Sequence, residues 1–69
     1  MDAILISVLE DYFGESVKEV NSVEAKINGH WYQVIDSEDS RCGDEEFTFI
    51  KEEGIEHWYN DKLYYIVAQ

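Results

Sequence analysis

Between Ile35 and Phe47 the chain reads IDSEDSRCGDEEF. Asp36, Glu38, Asp39, Asp44, Glu45 and Glu46 crowd together there with Arg41 and the only cysteine, Cys42. Such a cluster suits three chemistries: oxygen ligation of a hard cation, a reactive thiolate, or a negative surface for a positive partner. A helix-loop-helix calcium loop needs oxygens at positions 1, 3 and 5, glycine at 6 and glutamate at 12. Counted from Asp36, Gly43 falls at position 8. Counted from Glu38 it reaches position 6, but Cys42 then stands at 5 and Phe49 at 12. Neither register makes a dedicated metal site, and no cofactor is implied.

Zinc would require His30, Cys42 and His57, which lie far apart with no CxxC or HxxxH spacing. Nucleophilic catalysis needs a cysteine or serine beside a base. Cys42 instead has Asp39, Asp44, Glu45 and Glu46 as neighbours, and negative charge raises a thiol pKa and disfavours the thiolate. With no GxSxG and no glycine-rich phosphate loop, the chain reads as a non-enzyme.

Electrostatics remains. Sixteen acids against five bases give a formal charge of −11 on 69 residues. A folded chain of this length has a radius of gyration of about 11 Å. Its surface charges then lie within about one Debye length, ~8 Å at physiological salt, and repel one another. Solubility is one use of such a charge; attraction of a cationic partner is the other. Direct binding of nucleic acid is excluded by the missing basic patch. The apolar run Ile4–Ile6 is too short for a signal peptide or a membrane span, and a lone cysteine favours a reducing cytosol. The expected location is cytoplasmic, with no membrane partner.

The elements that must position these residues are legible in part. DAILISVLEDYF (2–13) predicts a helix with Asp2 as N-cap and Gly14 just past its end. Its apolar stripe is Leu5, Val8, Leu9 and Tyr12, widened by Ile4 and Phe13. Residues 15–22 fit either a helical turn or a lead into a strand. VEAKI and HWYQVI flank Asn28-Gly29, a strong hairpin signal that pairs Ile27 with His30, Lys26 with Trp31, Ala25 with Tyr32 and Val23 with Val34. Residues 37–45 read as a loop, and EFTFIK (46–51) as a third strand. A second hairpin, 55–59 with 62–67, turns at Asn60-Asp61. The fold class is α+β: an N-terminal helix on an antiparallel sheet of four to five strands in one domain spanning 1–69, the other sheet face partly wet. The tripeptide His-Trp-Tyr occurs at 30–32 and 57–59 with unlike flanks, and reads as coincidence.

Trp31, opposite Lys26, and Trp58, on the face of Glu56 and Leu63, are then aromatic anchors beside carboxylates, the composition of an interface hot spot. Alternate strand residues are ~6.6–6.8 Å apart, near the axial spacing of every second phosphate on one DNA strand. In size, acidity and single cysteine the chain resembles phage-encoded inhibitors that mimic nucleic acid, among them anti-CRISPR, antirestriction and uracil-glycosylase-inhibitor proteins. The likeness is compositional and carries over no individual residue. The reading is a non-enzymatic inhibitor whose carboxylates (Asp36, Glu38, Asp39, Asp44, Glu45, Glu46) and tryptophans (Trp31, Trp58) occupy the basic surface of a nucleic-acid-handling protein. The alternatives are a structural module that dimerises through its aromatic sheet face and, last, a protein that binds divalent cations.

Overall fold

The computed structural model describes Met1–Gln69. Helix α1 spans Ala3–Phe13. The Asp2 carboxylate accepts from the Ile4 N–H at 2.8 Å, satisfying one of the orphan donors of the first turn. Gly14, in the left-handed region, ends the helix with its N–H on the Glu10 carbonyl.

Five strands follow: β1 Glu19–Val20, β2 Ala25–Ile27, β3 His30–Asp36, β4 Ile55–Tyr59 and β5 Lys62–Ala68. They form one antiparallel sheet in the order β1-β2-β3-β5-β4. Both hairpins turn as expected. Asn28 and Gly29 have φ of 53° and 80°, Asn60 and Asp61 of 49° and 62°. These positive angles give the primed turns that match strand twist.

Three expectations are corrected. The register predicted from Asn28-Gly29 holds from Ile27↔His30 to Ala25↔Tyr32 but stops there. Val23 does not pair with Val34. The Asn21 side chain accepts from the N–H groups of Val23 and Glu24 at 2.9 and 2.7 Å, folding a tight turn that leaves Val23 exposed. The chain reverses and adds β1, the outcome for the ambiguous 15–22 stretch, with Val20 opposite Ala25.

The strand expected over 46–51 is instead helical. Ser40–Gly43 and Glu45–Phe47 are two 3-10 turns within and after the acidic loop, and helix α2 covers Phe49–Glu53. β5 already pairs with β3 on one side and β4 on the other, so no central position is left for another strand. β-propensity spans only about 1 kcal/mol. Burying Ile50, which α2 accomplishes completely, contributes about 1.5–3 kcal/mol, so packing overrides the local Phe-Thr-Phe alternation.

The second sheet face is accordingly not left wet. Alternation along β3 and β5 sends Tyr32, Val34, Tyr64 and Ile66 toward α1, where they meet Val8 and Leu9. It sends Ile35, Tyr65 and Val67 to the opposite face, where Ile50 closes a second cluster flanked by Phe47, Phe49, Leu63 and Cys42. The α1 stripe is narrower than its periodicity suggests, because Ile4 and Tyr12 remain exposed. The radius of gyration is 11.3 Å.

Candidate functional site

The three aspartates of the acidic stretch share one local role. Asp36, Asp39 and Asp44 each accept a hydrogen bond from the backbone N–H two residues on, at Glu38, Arg41 and Glu46, over 2.8, 2.9 and 3.0 Å. These bonds fold the loop and cap both 3-10 turns. Asp39 also receives Nε and Nη2 of Arg41 at 3.1 and 2.8 Å. That fork, helped by the backbone bond, holds its carboxyl down to about 2. Asp36 is lowered too, first by the Glu38 N–H and then by Lys62, whose Nζ lies 2.9 Å from it and 3.4 Å from Glu38. The repeated Asp-x-x pattern was the signal that could have revealed this capping.

The glutamates are freer. Glu38, Glu45 and Glu46 are exposed, as are Glu52, Glu53 and Glu56. Residues 44–56, which run over the second sheet face and into β4, hold Asp44, Glu45, Glu46, Glu52, Glu53 and Glu56 against the single base Lys51. A second acidic group, Glu10, Asp11 and Glu15, lies at the end of α1 and just after it, whereas Glu19, opposite Lys26, falls on the second sheet face, so the negative charge is not confined to one side.

The tryptophans part company. Trp58 pairs with Leu63, and the Leu63 carbonyl accepts from the Ser37 N–H at 3.1 Å. Trp58 thus sits at the end of the sheet where the acidic loop begins, and it is 66% exposed. Trp31 is half-buried opposite Lys26. Its carbonyl accepts from Gln69, six residues beyond Leu63 on the β5 side and about 20 Å away by strand rise. Of the eight residues expected to act together, Asp36, Glu38, Asp39 and Trp58 share one end of the sheet. Asp44, Glu45 and Glu46 lie on the layer covering its second face, and Trp31 stands apart.

Cys42 is half-buried, with its thiol donating toward the Asp36 carbonyl at 3.6 Å. Its pKa is raised, chiefly by burial and then by Asp39, so the direction expected from charge has desolvation as its main cause. No three His, Cys, Asp or Glu side chains converge to hold a metal. The surface clefts, of about 170 and 300 Å3, lie beside α1 and include neither Trp58 nor Glu45 or Glu46. No helix is long and apolar enough to cross a membrane. Comparison with known proteins finds no matching family model, curated protein or solved structure.

Proposed function

We propose that this chain is a non-enzymatic binding protein that occupies the basic, nucleic-acid-handling surface of another protein and blocks it. The observation that carries this reading is the pairing of Trp58 with unneutralised glutamates. Trp58, 66% exposed, shares β4 and a sheet face with Glu56, and Glu52 and Glu53 precede that strand by one glycine. Exposing a tryptophan on a 69-residue domain forgoes about 1.5–3 kcal/mol of burial, a large share of what so small a core has to spare. An anchor beside a carboxylate recovers that energy on a positive surface.

The three capping aspartates contribute field but are committed to the loop. Glu45, Glu46 and Glu56 carry the recognition, with Glu38 contributing less because Lys62 engages it, so the binding surface is narrower than the acidic stretch suggests. The test is capture of partners from a lysate, followed by association kinetics of the purified partner at low and high salt. Glu45→Lys with Glu46→Lys should slow association at least tenfold at 50 mM salt and much less at 500 mM, and the wild type should displace the partner's nucleic acid. Salt-insensitive association, or a partner that keeps its nucleic acid, sinks the reading.

The same exposed Trp58 favours a second reading, a homodimer. α2 occupies the middle of the aromatic face, so a dimer would use the sheet end at Trp58 rather than the whole face. Sedimentation at micromolar concentration decides it.

A further inference from the structure

The free edge of β4 carries an inference about how the partner is held, and it rests on the reading just given. β4 is the last strand in the order β1-β2-β3-β5-β4 and pairs on one side only. It runs five residues in unbroken register with β5, from Ile55↔Ile66 to Tyr59↔Lys62, with no bulge. Sheet edges are ordinarily blunted by proline, lysine, bulges or brevity. The opposite edge follows that rule, since β1 is two residues long. β4 has no lysine, proline or bulge in IEHWY, and its one charged side chain, Glu56, guards the edge against acidic strands rather than basic ones.

The turn fixes which backbone groups are open. A two-residue turn at Asn60-Asp61 makes Tyr59 and Lys62 a hydrogen-bonded pair. Alternation then makes His57↔Tyr64 and Ile55↔Ile66 hydrogen-bonded pairs and points the N–H and C=O groups of Glu56 and Trp58 outward. The two residues that offer an open main chain are those that offer the exposed carboxylate and the exposed indole.

Charge selects the occupant. Residues 52–61 hold Glu52, Glu53, Glu56 and Asp61 and no lysine or arginine, and the Lys62 that follows is engaged by Asp36 and Glu38. On the other face, Asp11 reaches the same strand through His57. A second copy would bring an equally acidic edge on a body of charge −11 to within a Debye length. An extended segment bearing lysine or arginine brings the complementary sign.

We infer that the β4 edge takes an extended, basic segment of the partner as a sixth strand, with main-chain hydrogen bonds to Glu56 and Trp58 and a cationic side chain over the Trp58 ring and beside Glu56. This is strand addition, in which backbone pairing supplies affinity and alternate side chains supply specificity. Five paired residues span about 17 Å, so a segment of five to seven residues fills the edge.

The probe is a synthetic heptapeptide of alternating lysine and valine, blocked at both ends, and a second peptide of the same composition N-methylated at alternate residues. Both carry the same charge, but the second cannot complete the ladder. Titration is followed by amide exchange and by tryptophan fluorescence, with Trp31 as a constant background, in 50 mM salt. The first peptide should protect the Glu56 and Trp58 amides, bind at least tenfold more tightly than its N-methylated twin, and weaken at least tenfold on Trp58→Ala, a substitution at an exposed side chain that leaves the fold intact. Equal binding of the two peptides, with the Glu56 and Trp58 amides still exchanging freely, overturns strand addition while leaving the charge-based reading standing. Failure of both peptides to bind overturns strand addition as well, and the partner-capture experiment then judges the charge-based reading separately. A peptide-free dimer that protects the same two amides overturns it in favour of a second copy.

Discussion

The Nε2 of His57 lies 2.7 Å from the Oδ2 of Asp11, joining the middle of the edge strand to a helix 46 residues earlier in the chain. Tyr12 adds an edge-on contact to the same imidazole, with ring centroids 5.4 Å apart. The pair holds β4 against α1 on one face while Trp58 projects from the other. Both partners are accessible, at 21% and 52% of their side-chain surface, which puts the pair among contacts worth about 0.2–1 kcal/mol. Asp11→Asn should therefore lower Tm by no more than a few degrees yet speed exchange of the paired amides of Ile55, His57 and Tyr59 several-fold. Unchanged exchange in β4 would show that the pair does not hold the edge.

β5 contributes Tyr64 and Ile66 to the layer under α1, and Tyr65 and Val67 to the layer under α2. The two clusters thus share a strand and should melt together. Leu9→Ala and Ile50→Ala each empty a fully buried position and should each cost about 2–5 kcal/mol. Urea unfolding followed by far-UV and aromatic signals should remain one transition in both variants. Separate midpoints in Ile50→Ala would mean that α2 is a dispensable flap.

Gly54 joins α2 to β4 at a point with no room for a side chain. A Cβ there collides with the Ile50 carbonyl oxygen, which accepts the Gly54 N–H, and comes within 3.2 Å of the Tyr65 Cβ. Gly43 faces open space. Gly54→Ala should cost about 1–3 kcal/mol and Gly43→Ala almost nothing. Equal midpoints in thermal melts would refute the difference.

Asp39 sets an acid limb. Its folded pKa, about 2, lies below the ordinary 3.8 because the Arg41 guanidinium and N–H bind the ionised form. A depressed carboxyl stabilises fully above the unfolded value and loses that contribution as pH falls from about 3.8 toward about 2. Asp36, lowered by the Glu38 N–H and Lys62, acts in the same direction. Asp39→Asn keeps a cap acceptor but loses the charge. Its Tm should lie below that of the wild type at pH 6 and converge with it near pH 2. Parallel Tm profiles across that window would exclude the mechanism.

Short-range chemistry made the two hairpins and α1 legible. Asn28-Gly29 and Asn60-Asp61 take positive φ at little cost, and Asp2 and Gly14 mark the helix ends within a few residues of chain. The acidic end of the sheet and the exposed Trp58 followed from those same turns. EFTFIK was not legible, because six residues with apolar side chains at 47, 49 and 50 satisfy a period of two about as well as one of 3.6. Nor was the division between Trp31 and Trp58. Both point to the same face in the observed register, and only the strand order shows them at opposite ends of β5.

The sequence by itself determined the charge, the caps, the turns and the register of the paired strands nearest those turns, since each depends on residues a few positions apart. Tertiary structure alone decided that β5 lies between β3 and β4, that the 40–53 segment folds over the second face, and that β4 is left as an open edge. Those outcomes depend on which apolar surfaces cover one another, and burial couples residues whose separation along the chain carries no local signal.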